Sequence, residues 1–129
     1  MAIPSGSGTE VLKRTSIHAQ SNTATAFRWD GTMATTGTST YTVTANHILT
    51  ILSIIFTEAA GADESIHMYV VNGDDSQEIK LISYQNLPEN GTFVWTEKLV
   101  LKGGDKLVVK AQDASNIDCL CSYIDQDWS

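Results

Sequence analysis

The sequence predicts an all-β protein, an antiparallel β-sandwich or jelly roll of about eight strands. Short apolar segments alternate with period two, and turn-forming residues separate them at spacings of about 8 to 14 residues. No segment shows the 3.6-residue period of an amphipathic helix. A chain of 129 residues is the usual size of one domain, so we expect a single domain over residues 10–129. Residues 1–9, with two Ser-Gly pairs, predict a flexible N-terminal arm.

The first third of the chain predicts weak or short strands. Glu10–Gln20 places apolar residues on alternate positions and is a candidate strand, and Ala26–Asp30 is a shorter one. The Thr, Gly and Ser residues of Gly31–Thr40 predict a loop or a ragged edge. Apolar and polar residues alternate over Tyr41–Asn46, which predicts a strand with one face in water.

The segment Ile48–Phe56 is the strongest candidate for the centre of the core. It is apolar on both alternating faces and rich in β-branched residues, which favours a strand over a helix. We therefore expect it to be covered on both sides, with Ile51 and Ile54 both buried.

The second half predicts a series of short strands joined by tight turns. The sequence Asn-Gly-Asp-Asp at 72–75 is a strong turn signal, and Gly103–Asp105 predicts a tight hairpin turn between its two flanking strands. The predicted strands in this half are Ile66–Val71, Ile79–Tyr84, Thr92–Thr96, Leu99–Leu101, Lys106–Lys110 and Ile117–Ile124.

The charge balance limits the classes of partner. The formal net charge is −7, which repels phosphate backbones and anionic membrane surfaces, so we expect neither nucleic acid nor membrane as a partner. The longest apolar stretch has nine residues, about half of a membrane span.

The reactive side chains are scattered in a way that disfavours enzymatic chemistry. Cys119 and Cys121 would lie on one face of a strand about 7 Å apart, too far for a relaxed disulfide, and are interpreted as reduced apolar thiols. Each histidine stands alone rather than in a paired zinc motif, and no nucleophile motif occurs. The sequence therefore predicts a protein that is not an enzyme and has no cofactor or metal.

From Tyr41 onward the order of elements resembles the small β-sandwich structural proteins of tailed bacteriophages. The landmarks are the alternating segment Tyr41–His47, the Leu-Val-Leu-Lys-Gly-Gly-Asp-Lys-Leu-Val-Val-Lys segment at 99–110, and the terminal Ser-Tyr-Ile at 122–124. The resemblance covers about the last two thirds of the chain. It implies a capsid decoration or cement protein, or a neck or tail part, made in the bacterial cytoplasm and located in the virion.

Assembly requires a contact surface, and four residues are the candidates: Ile3, Pro4, Trp29 and Trp128. Ile3 and Pro4 lie in the predicted arm, whereas Trp29 and Trp128 have polar neighbours that favour exposure. The expected partners are further copies of the chain, with a trimer as one candidate state, and other virion proteins such as the major capsid protein. The alternative is a glycan-binding or host-surface-binding module of a tail or fibre, in which the exposed tryptophans stack on sugars.

Overall fold

The computed structural model describes residues 9–30, 32–35 and 37–128, which form ten strands and no helix, so none of them lies in a helix that could span a membrane. The all-β prediction is confirmed. The strands are β1 (Thr9–Gln20), β2 (Thr25–Ala26), β3 (Ala34–Thr35), β4 (His47–Glu58), β5 (Glu64–Val71), β6 (Glu78–Leu87), β7 (Thr92–Trp95), β8 (Leu99–Lys102), β9 (Lys106–Ala111) and β10 (Ile117–Asp127).

The strands form two sheets with the pairing of a jelly roll. The six-stranded sheet has the order β3-β1-β10-β4, and both β7 and β8 pair with the remaining edge of β4. The four-stranded sheet has the order β2-β9-β5-β6. Pairs nest from the chain ends inward: β1 with β10, β2 with β9, β4 with β7 and β8, and β5 with β6. All these pairs are antiparallel, and only the short β3 runs parallel to β1.

The core lies between the inner faces of the two sheets. On β5, Ile66, Met68 and Val70 are buried and alternate with half-buried residues, as the period-two pattern predicts. From the opposite sheet, Cys119 and Cys121 of β10 point into the same core, and both are free thiols. The predicted placement of the two cysteines on one strand face is confirmed.

A β-bulge lets β4 bury two residues that simple alternation would place on opposite faces. Ser53 pairs with Ser122, but the next pair joins Ile51 to Tyr123, so Leu52 has no partner on β10. Because Leu52 is an extra residue in β4, the side chain of Ile51 points into the core on the same face as that of Ile54. Both Ile51 and Ile54 are fully buried.

The expectation that Ile48–Phe56 is covered on both sides is wrong for the chain by itself. The inner face of β4 is buried, but Ile55 on the outer face is 36% exposed and its neighbours there are only partly covered. The two-faced apolar pattern therefore marks a strand with one open face in the isolated chain.

The predicted hairpin at Gly103–Asp105 is also wrong. The strand before this turn, β8, pairs with β4 of the six-stranded sheet, whereas the strand after it, β9, pairs with β2 and β5 of the other sheet. The turn therefore carries the chain across the sandwich from one sheet to the other. The Gly-Gly-Asp sequence of this turn is compatible with a crossing between two sheets as well as with a hairpin within one sheet.

Two predicted strands are shorter than expected or absent. Tyr41–Asn46 is irregular: Val43 is buried and exchanges backbone hydrogen bonds with the β8–β9 turn, but no ladder forms. Of Ala26–Asp30, only Ala26 belongs to a strand, β2. Thr9, assigned to the arm, is the first residue of β1, while the rest of the predicted arm lies outside the described residues.

Candidate interaction surfaces

One end of the sandwich holds a buried carboxylate that contacts a lysine and a histidine. Asp125 lies on an inward position of β10 and is buried. It accepts hydrogen bonds from Lys13 Nζ on β1 at 2.9 Å and, at its other oxygen, meets His47 Nδ1 on β4 at 2.7 Å. The other imidazole nitrogen of His47 lies 3.5 Å from a carboxylate oxygen of Asp127. These contacts tie the last strand to both of its neighbours.

Trp128 follows directly and lines a cavity of about 360 Å³ at the same end. Its backbone N–H donates to the carbonyl of Asn46 at 2.8 Å, and its ring is half-buried. Lys102 and Asp74, which form an ion pair, also line this cavity. The cavity thus combines an aromatic ring with an amide, a cation and a carboxylate.

The β5–β6 turn and the β8–β9 turn lie close together at this end of the sandwich. The Asp105 carboxylate accepts hydrogen bonds from the backbone N–H of Gly73 at 2.9 Å and of Lys102 at 3.0 Å. A Cβ at Gly73 would lie 2.6 Å from the backbone carbon of Gly104, so only glycine permits this approach. The turns β5–β6 and β8–β9 are therefore fixed against each other.

The outer face of the six-stranded sheet carries several of the large apolar side chains that are exposed. Between its strands lies a shallow groove of about 300 Å³, lined by Met33, Ile55 and Leu120. Isolated exposed apolar residues are ordinary, but contiguous ones on one sheet face mark contact surfaces. We call this surface the outer apolar face and define it by Leu12, Met33, Ile55, Val94, Val100 and Leu120.

The outer face of the four-stranded sheet is polar, and its side chains bond to one another. His67 Nε2 lies 3.0 Å from the Gln112 side-chain oxygen, and its ring meets the edge of Tyr84 at a centroid distance of 4.5 Å. Lys80 Nζ lies 5.3 Å from the centre of the Tyr69 ring. These contacts leave a polar outer surface on the four-stranded sheet.

The structure separates the four predicted contact residues. Ile3 and Pro4 lie outside the described residues, so the arm stays a prediction. The expectation that Trp29 is exposed is wrong: its ring is 8% exposed and packs edge-on against Tyr123 at 5.0 Å. Trp128 lines the cavity described above, although its indole nitrogen is buried.

Sequence reasoning missed the outer apolar face, although a signal for it existed. Leu120 stands between two inward cysteines on β10, and Ile55 stands between two inward residues on β4. When adjacent strands carry apolar residues at both odd and even positions, the pattern indicates that both faces of the sheet are covered. The prediction of two-sided burial assumed that the chain's own core covers the second face as well.

The described residues show neither a metal site nor a reactive thiol. No group of three or more His, Cys, Asp or Glu side chains within them could hold a metal ion. Burial disfavours the thiolate, so it raises the pKa of Cys119 well above its usual range and that of Cys121 to about 12. Both thiols behave as small apolar side chains.

Comparison with known proteins shows the fold. No family model matches the chain, and no curated protein matches its sequence. Among solved structures, a Bacillus endospore appendage protein, described as forming disulfide-linked pili, is 12% identical with a TM-score of 0.54. It matches over 100% of this chain and 97% of its own.

A virus particle protein shows the same fold at similar distance. The structure of infectious bursal disease virus, Gx strain, matches 98% of this chain at 10% identity and a TM-score of 0.50, and this chain spans 32% of that protein's length. A capsid protein of Helicobacter pylori bacteriophage KHP30 is 6% identical with a TM-score of 0.49, matching 98% of this chain and 92% of its own. The chain therefore has a β-sandwich fold that is also found in a protein of infectious bursal disease virus.

Proposed function

We propose that this chain is a non-enzymatic structural protein of a tailed-phage particle, a capsid decoration or cement protein that docks on the particle as a symmetric oligomer. The observation that carries the proposal is the outer apolar face, an open, largely uncharged surface on a chain whose net charge is −7. Exposing such a surface is costly unless a partner covers it. Many weak contacts, repeated by the symmetry of a shell, would hold a small protein firmly.

The fold and the cysteines support this assignment. The sandwich is shared with a virus particle protein and with a subunit of endospore pili, so it suits repeated assembly. Disulfide linkage is not expected here, because both sulfur atoms are buried in the core. Reduced buried thiols fit synthesis in the bacterial host cytoplasm followed by incorporation into the virion.

Mass spectrometry of purified particles tests the virion role. Particles from the phage that encodes the chain should contain it at a copy number matching a repeated position in the head, neck or tail. Washing at high salt should leave it bound, since apolar contacts are not screened. The proposal is contradicted if infected cells make the protein but purified particles lack it.

A glycan-binding module of a tail or fibre is the second candidate, and the Trp128 cavity favours it. An aromatic ring beside Asn46, Asp74 and Lys102 offers a stacking surface together with donors and acceptors for hydroxyl groups. Glucose, galactose and N-acetylglucosamine should then change tryptophan fluorescence in the wild type and leave Trp128→Ala unchanged. Identical behaviour of the two proteins would eliminate this candidate.

A further inference from the structure

The outer apolar face contains a row of side chains that runs straight across four strands. Leu12 on β1 pairs with Ile124 on β10, which pairs with Thr50 on β4, which pairs with Val100 on β8. The two ends of the row protrude most, since Leu12 is 71% exposed and Val100 is 63% exposed. Paired residues share a sheet face, so these four side chains form one continuous ridge.

A second ridge crosses the same sheet further along. Ser16 pairs with Leu120, Leu120 with Ile55, and Ile55 with Val94 of β7. Met33 beside β1 extends this row along the shallow groove. The two ridges are four residues apart on β10, which corresponds to roughly 13 Å.

Small polar side chains lie between the ridges. Arg14 pairs with Ser122, and Ser122 with Ser53. Arg14 makes no hydrogen bond or ion pair with any residue in the described part of the chain, and its guanidinium is exposed. The face therefore has two ridges of larger side chains separated by a row that contains Ser122 and Ser53. Arg14 lies at the end of this serine row.

The charge on this face fits a second copy of the same chain. Glu10, Asp118 and Arg14 lie on this face, and the charge of Lys102 is paired with that of Asp74, so these five formal charges sum to −1 on a protein of net charge −7. Two like-charged copies repel less where the facing surfaces carry little net charge. A face with both signs also lets a carboxylate of one copy meet Arg14 of the other.

The size of the face also fits. Strands of 11 and 12 residues span roughly 38 Å, and four adjacent strands are roughly 19 Å wide, giving an area of roughly 700 Å². A standard stable interface buries roughly 800 Å² on each partner. The outer face alone is therefore close to the size that specific association requires.

We propose that copies of this chain associate through the outer apolar face, with a ridge of one copy seated over the serine row of the other. This inference rests on the proposed function for its biological setting, since it names the surface that forms the oligomer. It also explains why β4 carries apolar residues on both faces: one face meets the chain's own core, and the other meets a neighbour.

Sedimentation velocity of the full chain tests the proposal. The wild type should sediment as a dimer or larger oligomer in the micromolar range. Leu12→Glu and Val100→Glu, each at a highly exposed position, should raise the dissociation constant at least about tenfold. Because neither side chain packs in the core, circular dichroism and the melting curve of the monomer should stay unchanged for both variants.

Ile79→Glu is the matched control. Ile79 is 49% exposed on β6, the edge strand of the other sheet, so this change adds the same charge away from the outer apolar face. Its association should equal that of the wild type. The proposal is overturned if the wild type remains monomeric, or if Ile79→Glu weakens association as much as the two test variants do.

The two proposals fail separately. A monomer that nevertheless occurs in purified particles would refute self-association through this face and leave the virion role intact, with the shell protein or residues 1–8 as the cover. An oligomer that depends on Leu12 and Val100 but is absent from particles would refute the virion role alone.

Discussion

The outer faces of the two sheets lie on opposite sides of one sandwich, yet their chemistry differs. On the four-stranded sheet, His67 contacts both Gln112 and Tyr84, and the surface is polar. On the six-stranded sheet, Leu120 and Ile55 pair across β10 and β4, and both apolar side chains are exposed. The isolated chain therefore has one polar outer face and one outer face on which several large apolar side chains are open to water.

The same contrast exists within single strands of the six-stranded sheet. On β10, Cys119, Cys121 and Tyr123 are buried against the other sheet, while Leu120 between them is exposed. The outer face of the strand carries apolar Leu120 and Ile124 among polar residues, and only the inner face is covered by the chain itself. Substitutions at adjacent positions can therefore separate stability from assembly.

The largest effect is expected at adjacent isoleucines of β4. Ile54→Asp places an unpaired carboxylate in a fully buried position and should cost more than about 4 kcal/mol, enough to prevent folding. Ile55→Asp on the outer face should cost only about 1 to 1.5 kcal/mol, because that side chain is already partly in water. Urea denaturation of both variants measures the difference.

The comparison fails if the two isoleucine variants are equally destabilised. Equal loss would mean that the outer face of β4 is covered within the chain. Ile51→Asp serves as the second inner-face test, because the bulge at Leu52 gives Ile51 the same inward direction as Ile54. It should behave as Ile54→Asp does.

Thiol reactivity should differ strongly between the two faces of β10. Cys119 and Cys121 are buried with raised pKa values, so the folded wild type should react very slowly with a disulfide reagent. A thiol introduced by Leu120→Cys should react at least about 100-fold faster in dilute protein. Equal rates in the folded state would contradict the assignment of faces, and urea-unfolded wild type provides the control for reagent activity.

The sequence predicts the positions of the strands and the residues of the core better than it predicts the surfaces. Alternation on β5 and the apolar run on β4 identify buried residues because period two is a local property. The crossing at Gly103–Asp105 could not be distinguished from a hairpin, since both use the same turn residues. Which strands pair is decided by contacts distant in the chain.

The two misjudged faces have a shared cause. An apolar pattern records that a side chain is covered, not what covers it, so the outer residues of Ile48–Phe56 were assigned to the chain's own core. Trp29 was expected to be exposed because its neighbours in sequence are polar, but its ring packs against Phe27 and Tyr123. If the outer apolar face is an interface, the prediction of two-sided burial describes the assembly rather than the isolated chain.

The smallest effect is expected on the polar face. Lys80 lies 3.8 Å from a carboxylate oxygen of Glu78, and both side chains are exposed. Lys80→Gln should therefore change the free energy of unfolding by less than about 1 kcal/mol and leave sedimentation unaffected. A loss of association in this variant would show that the four-stranded sheet also takes part in assembly and would remove the contrast between the two faces.

Hydroxyl-radical footprinting of the unmodified chain tests the contrast most directly. Met33, 52% exposed, reports on the outer apolar face, and Tyr84, 64% exposed, reports on the polar face. Met68, fully buried in the core, is the internal control for folding. As the protein is concentrated from dilute to associating conditions, oxidation of Met33 should fall severalfold while that of Tyr84 stays constant. Unchanged oxidation of Met33 together with protection of Tyr84 would contradict the account, because assembly would then use the polar side of the sandwich.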